Sequence, residues 1–111
     1  FITSTAAREP IANLTVSNGL RAGLNGMIKS LSDEVGKHGI TVNAIMPGFI
    51  DTDRLKELGL QEEAIVKMIP VGRLGRPSEV GALATFLASD AAAYLTGQSI
   101  ACDGGRLRSH A

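Results

Sequence analysis

The sequence predicts an α/β fold built on a parallel sheet, and three observations carry that expectation. Leu20, Leu24, Met27 or Ile28, Leu31 and Val35 recur at spacings of three and four between about Asn13 and His38, which describes one apolar stripe on a long helix. Gly39 is a natural helix stop, and Ile40-Thr-Val-Asn-Ala-Ile-Met46 follows it with the β-branched, apolar make-up of a largely buried strand. Phe1-Ile-Thr3 reads as the end of an earlier strand. A strand that follows a helix through so short a turn belongs to a βαβ unit, whose strands run parallel.

The other elements follow in order. Ser4 opens a loop that runs to about Pro10. Gly19, Ala22, Gly23 and Gly26 crowd two turns of the long helix, and each glycine there costs about 1 kcal/mol relative to alanine. Such a cost predicts that another backbone or a ligand comes close. Lys29, Asp33 and Lys37, four apart, suit weak ion pairs on the polar face. Pro47-Gly48 ends the strand. Two short helical pieces are expected near Thr52–Leu58 and Gln61–Met68, broken by Gly59 and Pro70. Pro77 suits the first position of another helix, with Glu79 in its first turn, and Val80, Leu83, Ala84, Phe86 and Leu87 form its apolar face. A short turn from Ser89 to Leu95, a final strand Gln98–Cys102 and the turn Asp103-Gly-Gly105 complete the chain.

Bulk composition narrows the function. With 111 residues and 44% hydrophobic content the chain makes about one small domain, without an internal boundary. Eleven basic residues balance eleven acidic ones, so no electrostatic footprint for nucleic acid is present. No apolar run is long enough for a bilayer, and no signal peptide is visible. Cys102 stands alone, which rules out an internal disulfide and suits a reducing, cytoplasmic compartment. The sequon Asn13-Leu-Thr15 carries little weight in that setting. Asp51, Asp53, Glu57, Glu62 and Glu63 have no histidine nearby and read as solvated helix faces, not a metal site. His38 and His110 read as surface residues. Because the chain starts within a strand and without methionine, a piece of a longer protein is expected.

Several runs, in this order, resemble the short-chain dehydrogenase/reductase family. They are Ala22–Val35, Gly39–Thr52, Gly72–Glu79, Phe86–Asp90, Tyr94–Gly97 and Asp103–Gly105, and the similarity is strongest to the 3-oxoacyl-[acyl-carrier-protein] reductase branch. The resemblance implies the C-terminal part of a doubly wound parallel-sheet Rossmann fold, with residues 1–111 the C-terminal half of a single NAD(P)-binding domain. It implies hydride transfer between NAD or NADP and a carbonyl or alcohol substrate such as a 3-oxoacyl thioester. The glycine-rich phosphate loop, the residue that reads the ribose and the catalytic asparagine would lie in the other half, so these residues alone are not expected to hold a dinucleotide. Relatives are commonly tetramers, and a homo-tetramer or dimer is implied. Two surfaces would take part: the helix of Ser17, and the last helix with the last strand.

By the same resemblance Ser4 matches the catalytic serine that orients the substrate oxygen. Thirteen residues on, the position of the catalytic tyrosine holds Ser17, and the lysine position four beyond holds Arg21. Taking Asn18 as the lysine equivalent would shift the matches at Leu24, Gly26, Lys29 and Leu31 by three and break the apolar stripe. A serine hydroxyl is shorter than a phenol and has no accessible anion without a base. Arginine keeps the charge and can bind ribose hydroxyls, but it gives up no proton. Tyr94 matches a structural position of the family, and nothing singles out Thr15 or Asn18. Pro47, Gly48, Ile50 and Thr52 match the loop that holds the nicotinamide. The competing reading of that loop is a strand-ending turn with Thr52 as a helix cap. Asp53–Met68 then corresponds to a substrate-covering lid. Three readings stay open: an enzyme with an altered proton relay, a non-catalytic scaffold for cofactor or partners, and a fragment without independent function.

Overall fold

The computed structural model describes residues 1–110. Its elements are α1 (Thr15–Val35), β1 (Ala44–Pro47), α2 (Asp53–Glu57), α3 (Glu62–Val66), α4 (Pro77–Leu87) and β2 (Ser99–Cys102). Single turns of tighter helix occupy Thr5–Ala7, Gly36–His38 and Asp90–Ala92. Gly39, in the left-handed region at φ 73°, ends the helical run.

β1 is the central strand. It pairs in parallel with β2, Ala44 opposite Ser99 and Pro47 opposite Cys102. On its other edge the Ile45 N–H donates to the Phe1 carbonyl at 2.9 Å, and the Thr3 N–H donates to the Ile45 carbonyl at 2.8 Å. Ile2 thereby bridges Ile45 in parallel, so three chain segments run side by side. Ala44, Ile45 and Met46 are fully buried. The strand is shorter than the sequence predicts, because residues 40–43 leave the regular ladder. Asn43 takes its place there with its carboxamide, donating to the Leu95 carbonyl at 2.9 Å and accepting from the Gln98 N–H at 3.1 Å. The Val42 N–H likewise goes to the Thr96 hydroxyl at 3.0 Å.

α1 packs on this sheet through Ile28, which contacts Val42 and Ala44, with Leu24, Leu31 and Val35 around them. Two members of the expected stripe face outward: Leu20 and Met27 are exposed. Each precedes an inward-facing neighbour, Arg21 or Ile28, and one residue step turns the helix by about 100°. The glycine expectation also fails within the chain. A Cβ added at Gly19, Gly23 or Gly26 meets nothing within 4 Å. Lys29 pairs with Asp33 at 2.7 Å on the solvated face. Lys37 joins no ion pair among the described residues.

α4 opens on Pro77, and the Arg76 N–H donates to the Glu79 carboxylate at 2.8 Å. The Arg73 guanidinium grips the same carboxylate with two bonds of 2.6 and 2.9 Å. Val80, Leu83, Ala84 and Leu87 are half-buried, whereas Phe86, expected on that face, is exposed. Among the described residues no helix is long and apolar enough to cross a membrane, and no group of His, Cys, Asp and Glu is arranged to hold a metal. Asp51, Asp53, Glu57, Glu62, Glu63, His38 and His110 are all exposed.

The ends of β1 and β2 meet closely. The Gly48 N–H donates to the Cys102 carbonyl at 3.0 Å. A Cβ on Gly48 would stand 2.7 Å from Asp103 Cβ and 2.9 Å from Asp103 Cα. Asp103 cannot retreat cheaply, since its carboxylate accepts from the N–H groups of Gly105 and Leu107 at 2.9 and 2.8 Å.

Two predictions follow from these clamps. The Arg73 guanidinium, followed by the Arg76 N–H, holds the Glu79 carboxyl at about 2, below its ordinary 4.5. A depressed folded-state pKa contributes stability that is present above the unfolded value and lost as pH falls through the folded one. Glu79→Gln should therefore melt below wild type at pH 7, with the gap closing as pH drops from 4.5 towards 2. A gap that persisted at the acid end would exclude the ion pair as its source. Gly48→Ala should cost about 1–3 kcal/mol in urea unfolding of the intact protein, as overpacked sites do.

Candidate functional site

The three parallel segments end at one edge of the sheet. Ser4 follows the first, Gly48 to Ile50 follow β1, and Asp103 follows β2. In open α/β sheets ligands bind outside the carboxyl ends of the strands. A cavity of about 210 Å³ lies there, and Ser4, Ser17, Arg21, Pro47, Gly48, Ile50 and Thr52 all line it. The residues matched to the catalytic serine, tyrosine and lysine positions and to the nicotinamide loop thus line one cavity.

Ser4 is extended and caps the turn Thr5–Ala7, its Oγ accepting the Ala6 N–H at 3.1 Å. Its hydroxyl hydrogen remains available to donate. Arg21 ties α1 to the segment just before Ser4, because Nη1 donates to the carbonyls of Thr3 at 3.1 Å and Ile2 at 3.3 Å. The remaining guanidinium N–H groups have no partner among the described residues. Ser17, one turn earlier, is half-buried and makes no side-chain hydrogen bond among them. Asn18 is fully engaged elsewhere, holding the Ile11 N–H and carbonyl at 3.2 and 2.9 Å. It therefore secures the loop that closes the cavity.

The loop after β1 is fixed by a parallel bridge between Ile50 and Gly75. Gly75 donates to the Phe49 carbonyl at 3.0 Å, and the Asp51 N–H donates to the Gly75 carbonyl at 2.8 Å. Alternation along an extended chain turns the Ile50 N–H and carbonyl to the opposite side. Neither has a partner among the described residues. Thr52 stands at the N-cap position of α2, yet its hydroxyl makes no capping bond. The helix-cap reading of Thr52 is right in position and lacks the side-chain bond.

Sequence reasoning did not single out Ile11, Leu14, Arg54, Leu55 and Leu58, which also line the cavity. Arg54 and Leu55 belong to α2 and Leu58 caps its end, within the segment that resembles a lid. Tyr94 is fully exposed and lies with Gly36, Gly39 and Ile40 by the start of β1, at the other end of the sheet. Cys102 lines a separate cavity of about 220 Å³ with Arg73 and Glu79. Burial pushes its thiol pKa up, and Glu79 and Asp103 add to that.

The C-terminal tail straps the loop beyond Ser4. Glu9 accepts the N–H groups of Arg108 and Ser109 at 2.8 and 2.9 Å, and these bonds, Ser109 first, hold its carboxyl below the usual range. Arg106 reaches the Thr5 hydroxyl at 3.4 Å and lies 5.1 Å from the centre of the Phe49 ring.

The chain is similar to known proteins in sequence and in fold. Residues 1–106 match the sequence family described as enoyl-(acyl carrier protein) reductase. The 3-oxoacyl-[acyl-carrier-protein] reductase of Pseudomonas aeruginosa is 51% identical over 86 residues, 77% of this chain and 35% of that protein. Its namesake in Rickettsia felis is 54% identical over 88 residues, covering 78% and 36%. YwfH, an NADPH-dependent reductase involved in bacilysin biosynthesis, superposes with a TM-score of 0.91 at 40% identity, over 97% of this chain and 46% of that one. An NADPH-bound short-chain oxidoreductase from Pseudomonas aeruginosa, described as containing an atypical catalytic center, gives 0.85 at 30% identity over 97% and 45%. The chain spans about a third of the length of the curated relatives it matches. With a family match along nearly its whole length and a sheet that superposes on these structures, the chain belongs to the short-chain dehydrogenase/reductase family, and its α/β fold is part of that family's doubly wound Rossmann sheet.

Proposed function

We propose that the protein carrying this chain is an NADPH-dependent oxidoreductase that interconverts a carbonyl and an alcohol without a tyrosine in its proton relay. One observation carries the reading: Ser4, Ser17, Arg21 and the loop from Pro47 to Thr52 meet in one cavity at the carboxyl ends of the strands. NADPH is preferred over NADH because the solved relatives YwfH and the Pseudomonas short-chain oxidoreductase are named with it. A 3-oxoacyl thioester is the substrate class for which the curated relatives are named. Residues 1–111 would form the C-terminal half of the dinucleotide-binding domain, with the phosphate loop supplied by the rest of the protein. A cytoplasmic setting agrees with the free thiol of Cys102.

The residues fit the cofactor. A carboxamide carries a donor and an acceptor, and the unpaired Ile50 N–H and carbonyl offer the complement, with the uncommitted Thr52 hydroxyl beside them. NADPH, when bound, supplies the hydride. Ser4, whose oxygen already accepts from Ala6, has its hydrogen free to donate to the substrate carbonyl oxygen. The free N–H groups of Arg21 stabilise the negative charge that grows on that oxygen, and they do so without releasing a proton. Ser17 orients a water that protonates the oxygen, and the hydroxide left behind is neutralised by solvent. A well-placed general acid contributes typically 10²–10⁴-fold, so slow turnover is expected without one.

One observation favours a second reading, the non-catalytic scaffold. Arg21 uses Nη1 as a structural tie to Ile2 and Thr3, as a residue retained for architecture would.

Assembly is proposed on a separate ground. Val16, Leu20 and Met27, 75%, 69% and 48% exposed, surround the open positions Gly19, Gly23 and Gly26 on one side of α1. Such a face lets a second copy approach closely, and a self-complementary face closes as a homodimer or, repeated, a tetramer.

Steady-state NADPH oxidation by the intact protein with ketones and 3-oxoacyl thioesters tests the enzyme. Ser4→Ala should lower kcat about 10²-fold with cofactor affinity unchanged. Ser17→Tyr with Arg21→Lys should raise kcat about 10²–10⁴-fold over wild type. If wild type binds cofactor but turns over none of these substrates while the double variant does, the scaffold reading replaces the enzymatic one. Light scattering tests assembly. Leu20→Asp should shift the intact protein to smaller oligomers, and a wild-type monomer would refute the interface.

A further inference from the structure

Beyond β2 the chain runs as a strap over two loops of the site, and two carboxylates pin its backbone. Asp103 accepts the N–H groups of Gly105 and Leu107 at 2.9 and 2.8 Å, on either side of Arg106. Glu9 accepts the next two, those of Arg108 and Ser109, at 2.8 and 2.9 Å. Each carboxylate belongs to a different part of the site. Asp103 is pressed on Gly48, at the start of the loop after β1, so closely that Gly48 has no room for a Cβ. Glu9 closes the turn that follows Ser4. Its own N–H donates to the Thr5 carbonyl at 3.0 Å, and the Ala7 N–H donates to the Ser4 carbonyl at 3.0 Å.

Arg106, at the middle of the strap, reaches both loops with its side chain. Its guanidinium donates to the Thr5 hydroxyl oxygen at 3.4 Å and lies 5.1 Å from the centre of the Phe49 ring. Thr5 is buried next to Ser4 in the chain, and Phe49 precedes Ile50. A planar guanidinium suits both contacts, since it can lie over an aromatic face and still donate from its edge. We propose that Arg106 is a positioning residue of this site. It holds the turn of Ser4 against the loop of Ile50, and so fixes the distance between the hydroxyl assigned to the substrate oxygen and the backbone groups assigned to the carboxamide. The tie itself rests on the contacts of Arg106, whereas its effect on turnover rests on the proposed oxidoreductase activity. Hydride transfer requires cofactor and substrate to be placed together, and a misplacement of about 1 Å can cost about 10²-fold.

Arg106→Met keeps the stem of the half-buried side chain and removes the guanidinium. In the intact protein it should lower kcat about 10–10²-fold, with NADPH affinity, followed by fluorescence, within about twofold of wild type. Arg106→Lys, which keeps a cation near Phe49, should recover part of the loss. Because Arg106 acts through Ser4, adding Arg106→Met to Ser4→Ala should lower kcat by less than about twofold further. Losses that multiply in the double variant would overturn the proposal, as would full activity in Arg106→Met. Should Arg106→Met not fold, the nearly isosteric Thr5→Val removes the hydroxyl that Arg106 binds, and full activity there would overturn the proposal equally. Hydrogen exchange reads the tie without turnover. The same variant should speed exchange at residues 5–9 and 49–51 together, about tenfold, while α4 stays as in wild type. Faster exchange in neither loop, or in one alone, would refute the tie. If the wild type turns over no substrate, the oxidoreductase reading fails, and exchange still decides whether Arg106 joins the two loops.

Discussion

β1 is paired on both edges and covered by packing on both faces, and the site exists because of that arrangement. A buried strand must place every backbone N–H and carbonyl, since an unpaired one costs about 1–3 kcal/mol. Ile45 meets the demand by exchanging bonds with Phe1 and Thr3, and the opposite edge meets it through β2. Parallel pairing on both sides brings three carboxyl ends to one edge. Ser4, Gly48 and Asp103 are neighbours for that reason and for no reason visible in their own chemistry. The short distance from Gly48 to Asp103 is the local expression of the same constraint, because β1 and β2 leave the sheet in contact.

On the proposed register, with Ser17 and Arg21 at the tyrosine and lysine positions, the exchange acts on this frame in two separate ways. Serine removes a ring, and with it both a proton donor and the volume it would occupy. Arginine adds reach and donors. One nitrogen binds two backbone carbonyls ahead of Ser4, a tie that a single ammonium on a shorter stem makes less well. Arg21 therefore helps to place Ser4, while no phenol stands at position 17.

Much of the fold was legible because single residues fix it. Gly39 sits at positive φ where the helix ends, Pro77 starts α4, and Asp103-Gly-Gly105 turns the chain after β2. Where side chains substitute for the backbone, legibility failed. Asn43 and Thr96 complete the pairing beyond the start of β1, and no periodicity encodes that. The stripe left Met27 and Ile28 open, and packing chooses Ile28, whereas Leu20 fits the spacing and still faces outward. The glycines of α1 implied a close approach and meet open space, because what packs on a surface lies outside the chain's own contacts. For the site, motif spacing found the groups at the strand ends. It missed Arg54, Leu55 and Leu58, whose part depends on how α2 is set against the sheet.

The polar groups around the cavity divide into those already satisfied and those left free, and this division carries the functional content. Arg21 Nη1, Asn18 and the Ser4 oxygen are committed to backbone, and Glu9 holds the tail across the loop beyond Ser4. These bonds fix Ser4 from both sides, so its one remaining hydrogen points from a defined place. The Ser17 and Thr52 hydroxyls, the Ile50 N–H and carbonyl and the other donors of Arg21 have no partner among the described residues. Contacts within the chain account for the first set, and the second is left open to other groups. The second set is at least partly open to solvent, and its place beside Ser4 is what makes it available to a ligand.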